Sequence, residues 1–427
     1  RRALVIGGGV AGMSAALAIA DCGFDVTLVE RSDSLGGHLH DIHYVVEGYN
    51  PQRLLRDLVN RVRGHERISV YIRTIVVRHT GHVGDYRSTL RGLDGSEEIV
   101  SHGVTIVATG GKEARGPKFF LGEHPKVMTQ LALEEAITSR LDEIAKLKDV
   151  VMIQCVRPEG AEYDYCSRIC CTSTIKNAMR IKVANPDCRV TVLYKDIITY
   201  GFREQYYTEA RRRGVLFVRY DDDSEPVVEC LNGDLRVTVQ EPMLGRPMVI
   251  DPDLLVLSMA IEPSDGAEEL ARTLEVPLSE EGFFLEAHIK MRPMDFMEEG
   301  IFICGMAHYP KFIEETISHA LAAAGRATTI LTKEPFFVGG TVAVVDQEQC
   351  VGCLTCVRVC PFHIPKVDPE RIGVGGIVGA AYIEPALCHG CGTCTSECPA
   401  TAIQLLNYSD TQITVPEERV LGRWVEV

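Results

Sequence analysis

The chain has 427 residues, a formal net charge of -15, 46% hydrophobic and 24% charged residues, the make-up of a soluble globular protein of two or three domains. Its acidity disfavours nucleic acid and anionic lipid as partners, since basic surface binds both, and no apolar run approaches the ~20 residues of a membrane span. Sixteen cysteines, twelve of them in three tight groups with Cys22, Cys188, Cys230 and Cys304 standing apart, exclude a small disulfide scaffold and point to metal or cluster ligation in a reducing compartment, the cytoplasm of an anaerobe.

The chain opens at Arg1 with no leader pattern, which suggests a trimmed N-terminus. Ala3–Ile6 reads as a strand, Gly7-Gly8-Gly9-Val10-Ala11-Gly12 as a turn, Met13–Ala20 as an Ala-rich helix, and Val26–Val29 as a second strand ending at Glu30. That order is a dinucleotide-binding fingerprint. Gly7 makes the tight turn, Gly9 lets backbone reach a pyrophosphate, and Gly12 lets helix pack on strand. The helix N-terminus favours the anion. Glu30, with Arg31 beside it, is expected at the ribose hydroxyls. Ser34-Leu35-Gly36-Gly37 follows, as in two-dinucleotide-binding flavoproteins. Val104–Val107 then runs into Ala108-Thr109-Gly110-Gly111, which is similar to the motif closing their FAD domain. FAD is therefore expected rather than NAD.

From about Pro117 to Leu285 the chain reads as an inserted Rossmann unit. Val150–Ile153, Arg189–Leu193 and Leu254–Leu257 are its expected strands, yet the stretch from Gln154 to Gly160 carries no phosphate turn. The nicotinamide site is read as lost. In its place stand Cys155, Cys166, Cys170 and Cys171, at a strand end and a helix start, a set suited to a [4Fe-4S] cluster. Gly300–Gly305 followed by a helix over Ile313–Thr328 is similar to a second FAD motif, with Gly305 and Met306 expected near the flavin. Met306 stands where that motif carries Asp, which puts its ribityl contact in doubt.

Cys350-x2-Cys353-x2-Cys356-x3-Cys360-Pro361 and Cys388-x2-Cys391-x2-Cys394-x3-Cys398-Pro399 are two bacterial ferredoxin runs, in which the fourth Cys ligates the other cluster. Cys350, Cys353, Cys356 and Cys398 are expected to hold one cubane, and Cys388, Cys391, Cys394 and Cys360 the other. Phe362–Leu387, with Gly373-Val-Gly-Gly-Ile, is longer than in small ferredoxins and is expected to form an extra loop or hairpin.

The stretch Cys166-Ser-Arg-Ile-Cys170-Cys171-Thr-Ser-Thr-Ile-Lys176-Asn-Ala178 resembles the signature of the HdrA family, the flavin-binding component of heterodisulfide reductase. The flavin motif and the dicluster tail match the same family across essentially the whole chain. The resemblance implies that the four cysteines of this signature hold a cluster near the flavin. It also implies that Lys176 lies by the reactive ring nitrogen and stabilises negative charge on the reduced flavin. One departure is plain: Gly37–Tyr44 has no cysteine where the family often carries C-x2-C, so that further cluster is expected to be absent.

The expected architecture is α/β, a thioredoxin reductase-like two-dinucleotide-binding flavoprotein with a C-terminal dicluster ferredoxin-like α+β module. Residues 1–116 and 286–335 form a discontinuous FAD domain, 117–285 the inserted degenerate Rossmann domain, and 336–427 the ferredoxin-like domain. The expected cofactors are FAD and three [4Fe-4S] clusters. The expected function is that of the electron-bifurcating component of a heterodisulfide reductase-like complex, working with HdrB-like and HdrC-like subunits, an MvhD-like one, or hydrogenase or dehydrogenase subunits. Ferredoxin is expected as an exchange partner, and a dimer within the complex is compatible with this. A non-bifurcating relay and a stand-alone NAD(P)H-dependent reductase are the rival readings. His38, His40 and His43 read as surface or flavin-adjacent residues rather than a metal site. Cys22, Cys188 and Cys230 read as packing, and Asp196–Arg213 as a solvated helix or a docking surface.

Overall fold

The computed structural model describes residues 1–161, 165–241, 245–333, 341–409 and 412. It falls into two compact units, one made of Arg1–Gly81 with Asp85–Leu331, the other of His82–Gly84 with the chain from Thr332 onward. The first unit contains two parallel α/β sheets. The split after Leu331 falls inside the segment 286–335 expected for the FAD domain. Residues 334–340, 410, 411 and 413–427 of the expected C-terminal segments lie outside the described residues.

The first sheet is five-stranded, in the order Ile301–Ile303, Val104–Val107, Arg2–Ile6, Asp25–Val29, Ile68–Tyr71. All its pairs are parallel. Its inner strands are buried along nearly their whole length, one face packed by the helices Val10–Asp21, Pro51–Gly64 and Ile313–Leu331. The helices Val10–Asp21 and Ile313–Leu331 pack on each other through alanines such as Ala15, Ala16, Ala320, Ala323 and Ala327, all fully buried. Small side chains let these two helices approach closely, which sets the sheet ends that face the flavin motif.

The second sheet is also five-stranded and parallel: Leu216–Arg219, Arg189–Tyr194, Asp149–Val156, Leu254–Met259, Val127–Thr129. A separate antiparallel sheet of Val227–Leu231, Asp234–Glu241 and Arg246–Ile250 covers part of it. The two halves are joined by an antiparallel pair, Gly111–Glu113 with Ile261–Pro263. The retained framework with an unusual first turn is what the sequence suggests. Asp196–Arg213 is only partly helical: a 3-10 turn at Gly201–Arg203 precedes the helix Glu204–Arg212.

In the second unit, Ala343–Val345 pairs with Ile403–Leu405, and the helices Thr355–Val359 and Thr393–Ser396 each lie within a cysteine run and carry its third cysteine. The insertion between the runs is a hairpin, Lys366–Ile372 with Val378–Tyr382, turned at Val374–Gly376. Among the described residues no helix is long and apolar enough to cross a membrane.

Candidate functional site

The glycine turn is built by contact limits. A Cβ on Gly7 would lie 2.3 Å from Ala108 O, and one on Gly12 would lie 1.8 Å from Gly7 O. Both positions admit only hydrogen. At Gly9 nothing lies within 4 Å of an added Cβ, so the turn faces open space there. Gly9 leads into the helix Val10–Asp21, whose first turn carries no acidic residue and no side-chain cap. Its free N–H groups suit an anion. Gly36 N donates to Gly8 O at 2.9 Å, and Gly36 bridges to Gly9, so the Gly36-Gly37 turn closes one wall of the same cleft.

Glu30 is buried, accepting from Gly8 N at 2.6 Å and Ser32 N at 2.7 Å. Each carboxylate oxygen keeps a free lone pair for a ribose hydroxyl. Thr109, between Ala108 and Gly110, has a buried Oγ1 with no partner. That orphaned hydroxyl is what a bound dinucleotide would satisfy, so the cradle fits FAD. Arg31 is exposed and donates from Nη1 to Asp265 O at 2.5 Å.

Cys155 stands at an irregularity in the strand Asp149–Val156, where pairing with Leu254–Met259 shifts between Ile153 and Val156. Its φ of 57° turns its side chain out of the alternating pattern. Cys170 and Cys171 open the helix Cys170–Ala184. The four thiols Cys155, Cys166, Cys170 and Cys171 are electrostatic neighbours. Burial pushes Cys155 up to about 11, with Cys171 and Cys166 adding to the rise. The hydrogen bond with Cys171 and burial push Cys170 well up, and Cys171 falls through the same bond. Thiolates this close repel unless cations sit among them, which fits a cluster. Cys166 Sγ also accepts from Arg168 N at 3.3 Å. The buried Gln154 Oε1 and Thr172 Oγ1, each next to a cysteine, lack partners.

Lys176 lies six residues into the same helix and is buried. Its Nζ is 2.5 Å from Glu134 Oε2 and donates to Tyr44 O at 2.8 Å. Burial lowers its pKa, and Glu134 opposes that fall. Glu134 Oε1 accepts from His43 N and Tyr44 N at 2.7 and 3.1 Å. Tyr44 OH donates to Asn177 Oδ1 at 2.7 Å, and Asn177 donates to Gln130 Oε1 at 2.8 Å. Lys176 is thus locked between the inserted sheet and the loop after Gly36-Gly37. Glu134 and Tyr44 carry no signal in the sequence. Glu134 is one of two adjacent glutamates on the helix Gln130–Ser139, and only burial separates it from the exposed Glu135.

Gly305 and Met306 fall in a 3-10 turn after the strand Ile301–Ile303, and a Cβ on Gly305 would lie 2.7 Å from Ala11 Cβ. The second motif therefore touches the first. Just beyond it, Lys311 donates to His308 Nδ1 at 3.0 Å, and His308 Nε2 bonds Glu286 at 2.7 Å. Burial, then Arg168, pushes Lys311 down to about 8. Cys304 is fully buried, and desolvation pushes its thiol up to about 12, so it is held as an inert thiol. The three histidines scatter: His38 bonds Gly111 O, His40 meets Leu35 O, and His43 pairs with Glu135.

In the second unit, Cys350, Cys353, Cys356 and Cys398 line one cavity together with Ala400, Ala402 and Ile403. Cys394 is pushed up to about 11 by burial and then by Cys388, Cys360 and Cys391. The fourth cysteine of each run thus lies with the first three of the other. Ala381 N donates to Cys350 Sγ at 3.4 Å and Ala343 N to Cys388 Sγ at 3.3 Å, the amide–sulfur contacts that stabilise cluster ligands. Among the described residues no three His, Cys, Asp or Glu side chains converge as on a single ion; a cubane spreads its thiolates more widely.

A model of an FAD binding domain matches residues 2–41, and one of a 4Fe-4S dicluster domain matches residues 349–402. The HdrA component of the ferredoxin:CoB-CoM heterodisulfide reductase of Methanosarcina acetivorans is 28% identical over 99% of this chain and 67% of its own length. The HdrA component of the H(2):CoB-CoM heterodisulfide,ferredoxin reductase of Methanothermobacter marburgensis is 29% identical over 87% of this chain and 70% of its own. An HdrA-like protein of Archaeoglobus profundus is 32% identical over 65% of this chain and 44% of its own. In fold, the chain matches thioredoxin reductases of T. acidophilum and Lactococcus lactis. The TM-scores are 0.51 and 0.52, at 15% and 16% identity, over 78% and 77% of this chain and 98% of each of those. With a flavin cradle and two ferredoxin runs on that scaffold, the chain is an iron–sulfur flavoprotein similar to the HdrA components of heterodisulfide reductases, an oxidoreductase that carries electrons.

Proposed function

We propose that this chain is the flavin hub of a cytoplasmic heterodisulfide reductase-like complex, taking electrons from one of its partner subunits and dividing them between two acceptors, one of them ferredoxin. The observation that carries this is the convergence of Cys155, Cys166, Cys170 and Cys171 at the strand end where a two-dinucleotide reductase places its nicotinamide turn. A chain that has exchanged this turn for thiols has nowhere to take hydride from a free nicotinamide, so it is fed through clusters.

When bound, FAD would exchange electrons in pairs or singly, and the clusters would pass them one at a time. Gly7, Gly9, Gly12, Glu30, Gly36, Gly37, Ala108, Thr109, Gly110 and Gly305 would hold the FAD. Cys155, Cys166, Cys170 and Cys171 would hold one [4Fe-4S] cluster; Cys350, Cys353, Cys356 and Cys398 a second; and Cys388, Cys391, Cys394 and Cys360 a third. Lys176, paired with Glu134, would favour negative charge on the reduced flavin. The names of the Methanosarcina and Methanothermobacter relatives, each joining a heterodisulfide reductase with ferredoxin, support partner subunits and ferredoxin for this chain as well.

The test is an anaerobic titration of the reconstituted full chain with NADH and NADPH, following the flavin absorbance. The flavin is expected to stay oxidised with either nucleotide and to bleach with dithionite or reduced ferredoxin. Rapid bleaching by a nucleotide would make the chain a stand-alone reductase. Division of electrons between two acceptors predicts that the flavin bleaches in one two-electron step; two separated one-electron steps would favour the non-bifurcating relay.

A further inference from the structure

The loop that carries Cys166 is not anchored to the inserted sheet alone. It is bolted to the segment that leaves the second flavin motif. Tyr309 OH donates to Cys166 O at 3.3 Å. Tyr165 packs against Phe283 and Tyr309, with ring centroids 5.6 and 5.7 Å away. Ser167 Oγ accepts from Ile261 N at 2.9 Å. The strongest of these links is Arg168, between Cys166 and Cys170. Its Nη2 lies 2.5 Å from both carboxylate oxygens of Glu315 and 2.6 Å from Tyr200 OH. Tyr200 OH also donates to Glu315 Oε1 at 2.6 Å. Glu315 in turn accepts from Phe312 N at 2.9 Å, capping the start of the helix Ile313–Leu331. Arg168 and Glu315 are 33% and 28% exposed, so water screens the pair only in part.

The geometry points to Arg168 as a positioning residue that couples the Cys155/Cys166/Cys170/Cys171 centre to the flavin side of the fold. It does this in two ways, and the inference rests on the reading that those four thiols hold a cluster. Its backbone N–H bonds the Cys166 sulfur while its side chain grips Glu315, so the sulfur is held at a fixed place relative to the helix beyond the flavin motif. The guanidinium also sets a positive charge beside the centre, which favours its reduced, more negative state. Glu315 offsets part of that charge. Removing one charge or the other therefore shifts the centre's potential in opposite directions. A residue that merely filled space would not produce this pattern. All the side-chain bonds of Arg168 run through the one nitrogen Nη2, so a Lys ammonium keeps the charge and can take up the same pairing.

The test is an EPR-monitored redox titration of the reconstituted full chain as wild type, Arg168→Gln, Arg168→Lys and Glu315→Gln. The dicluster signals in the same samples serve as the internal standard. The inference predicts that Arg168→Gln moves the midpoint of this one centre to more negative potential, or empties it of iron. It predicts that Arg168→Lys restores the midpoint or the occupancy, and that Glu315→Gln moves the midpoint the other way. Unchanged midpoints at full iron in both charge-removing variants would overturn it, and so would shifts of the same sign in both. A wild type with no third cluster signal would instead overturn the cluster reading on which it rests.

Discussion

Replacing Glu134 by Gln should leave Lys176 as a bare charge in the interior. Nζ and Oε2 are 2.5 Å apart, and the two side chains are 9% and 1% exposed. At an effective dielectric of ~20, a spacing of that size gives an attraction of roughly 7 kcal/mol. Desolvation costs several kcal/mol per ion, so the intact pair stands near break-even. Removing one partner is a different operation and costs about 3–5 kcal/mol. The Gln oxygen can still accept from His43 N and Tyr44 N, so the substitution isolates the charge. The assay is chemical denaturation of the full chain, with flavin fluorescence reporting the unit that carries the cradle. A pH series sharpens it. Burial lowers the Lys176 pKa and Glu134 raises it. Without Glu134 the folded-state pKa falls further below the unfolded one. The unfolded chain then binds the extra proton, so the variant's deficit should shrink as pH rises. Glu134→Gln with Lys176→Met should recover most of the loss. A single variant within ~0.5 kcal/mol of wild type would refute the buried-pair reasoning.

Three other outcomes follow from the same geometry. Gly9→Ala should leave the unfolding of the flavin-free protein unchanged yet lower FAD retention at least about tenfold, since only the ligand occupies that space; Gly12→Ala, whose Cβ would lie 1.8 Å from Gly7 O, should cost about 3 kcal/mol or more before any ligand binds. Cys398→Ala should abolish the EPR signal of the cluster on the Cys350 run and Cys360→Ala that on the Cys388 run; loss of the cluster on the mutated residue's own run would break the crossed assignment. Lys311, pushed down to about 8 by burial and then Arg168, binds its proton less readily folded than unfolded, so this group's contribution to stability should rise from about pH 8 toward the unfolded lysine value. Lys311→Met should flatten that rise in a denaturation series, and an identical slope in both proteins would show that Lys311 is not the group responsible.

Much of the fold was legible because its signals are local. Gly7 and Gly12 are glycines because backbone oxygens leave no room for a Cβ, and that constraint shows in the sequence as a spacing. The strand Val104–Val107 and the core of Arg2–Ile6 read correctly because parallel strands buried on both faces are plain apolar runs. The cysteine runs were legible for the same reason, since one loop supplies most ligands of each set. Glu134, Tyr44, Arg168 and Glu315 were not legible as a group. Their partners lie far along the chain, up to 147 residues away for Arg168 and Glu315, and a solvated Glu or Arg looks identical in sequence to a buried, paired one. The stretch Asp196–Arg213 was legible in part. Its charges suggest a solvated helix or a docking surface, and Glu204–Arg212 is a largely exposed helix, whereas Arg203 just before it reaches Glu47 and Glu314 and stacks on Phe312.

The most direct test of the account is the iron content and Mössbauer spectrum of the reconstituted full chain, measured against its FAD. About twelve iron atoms per FAD are expected, all in cubane clusters, falling to about eight in Cys170→Ala with both dicluster signals intact. About eight iron atoms in the wild type, unchanged by Cys170→Ala, would contradict a cluster at Cys155, Cys166, Cys170 and Cys171, and with it the claim that this chain exchanged its nicotinamide site for an electron exit.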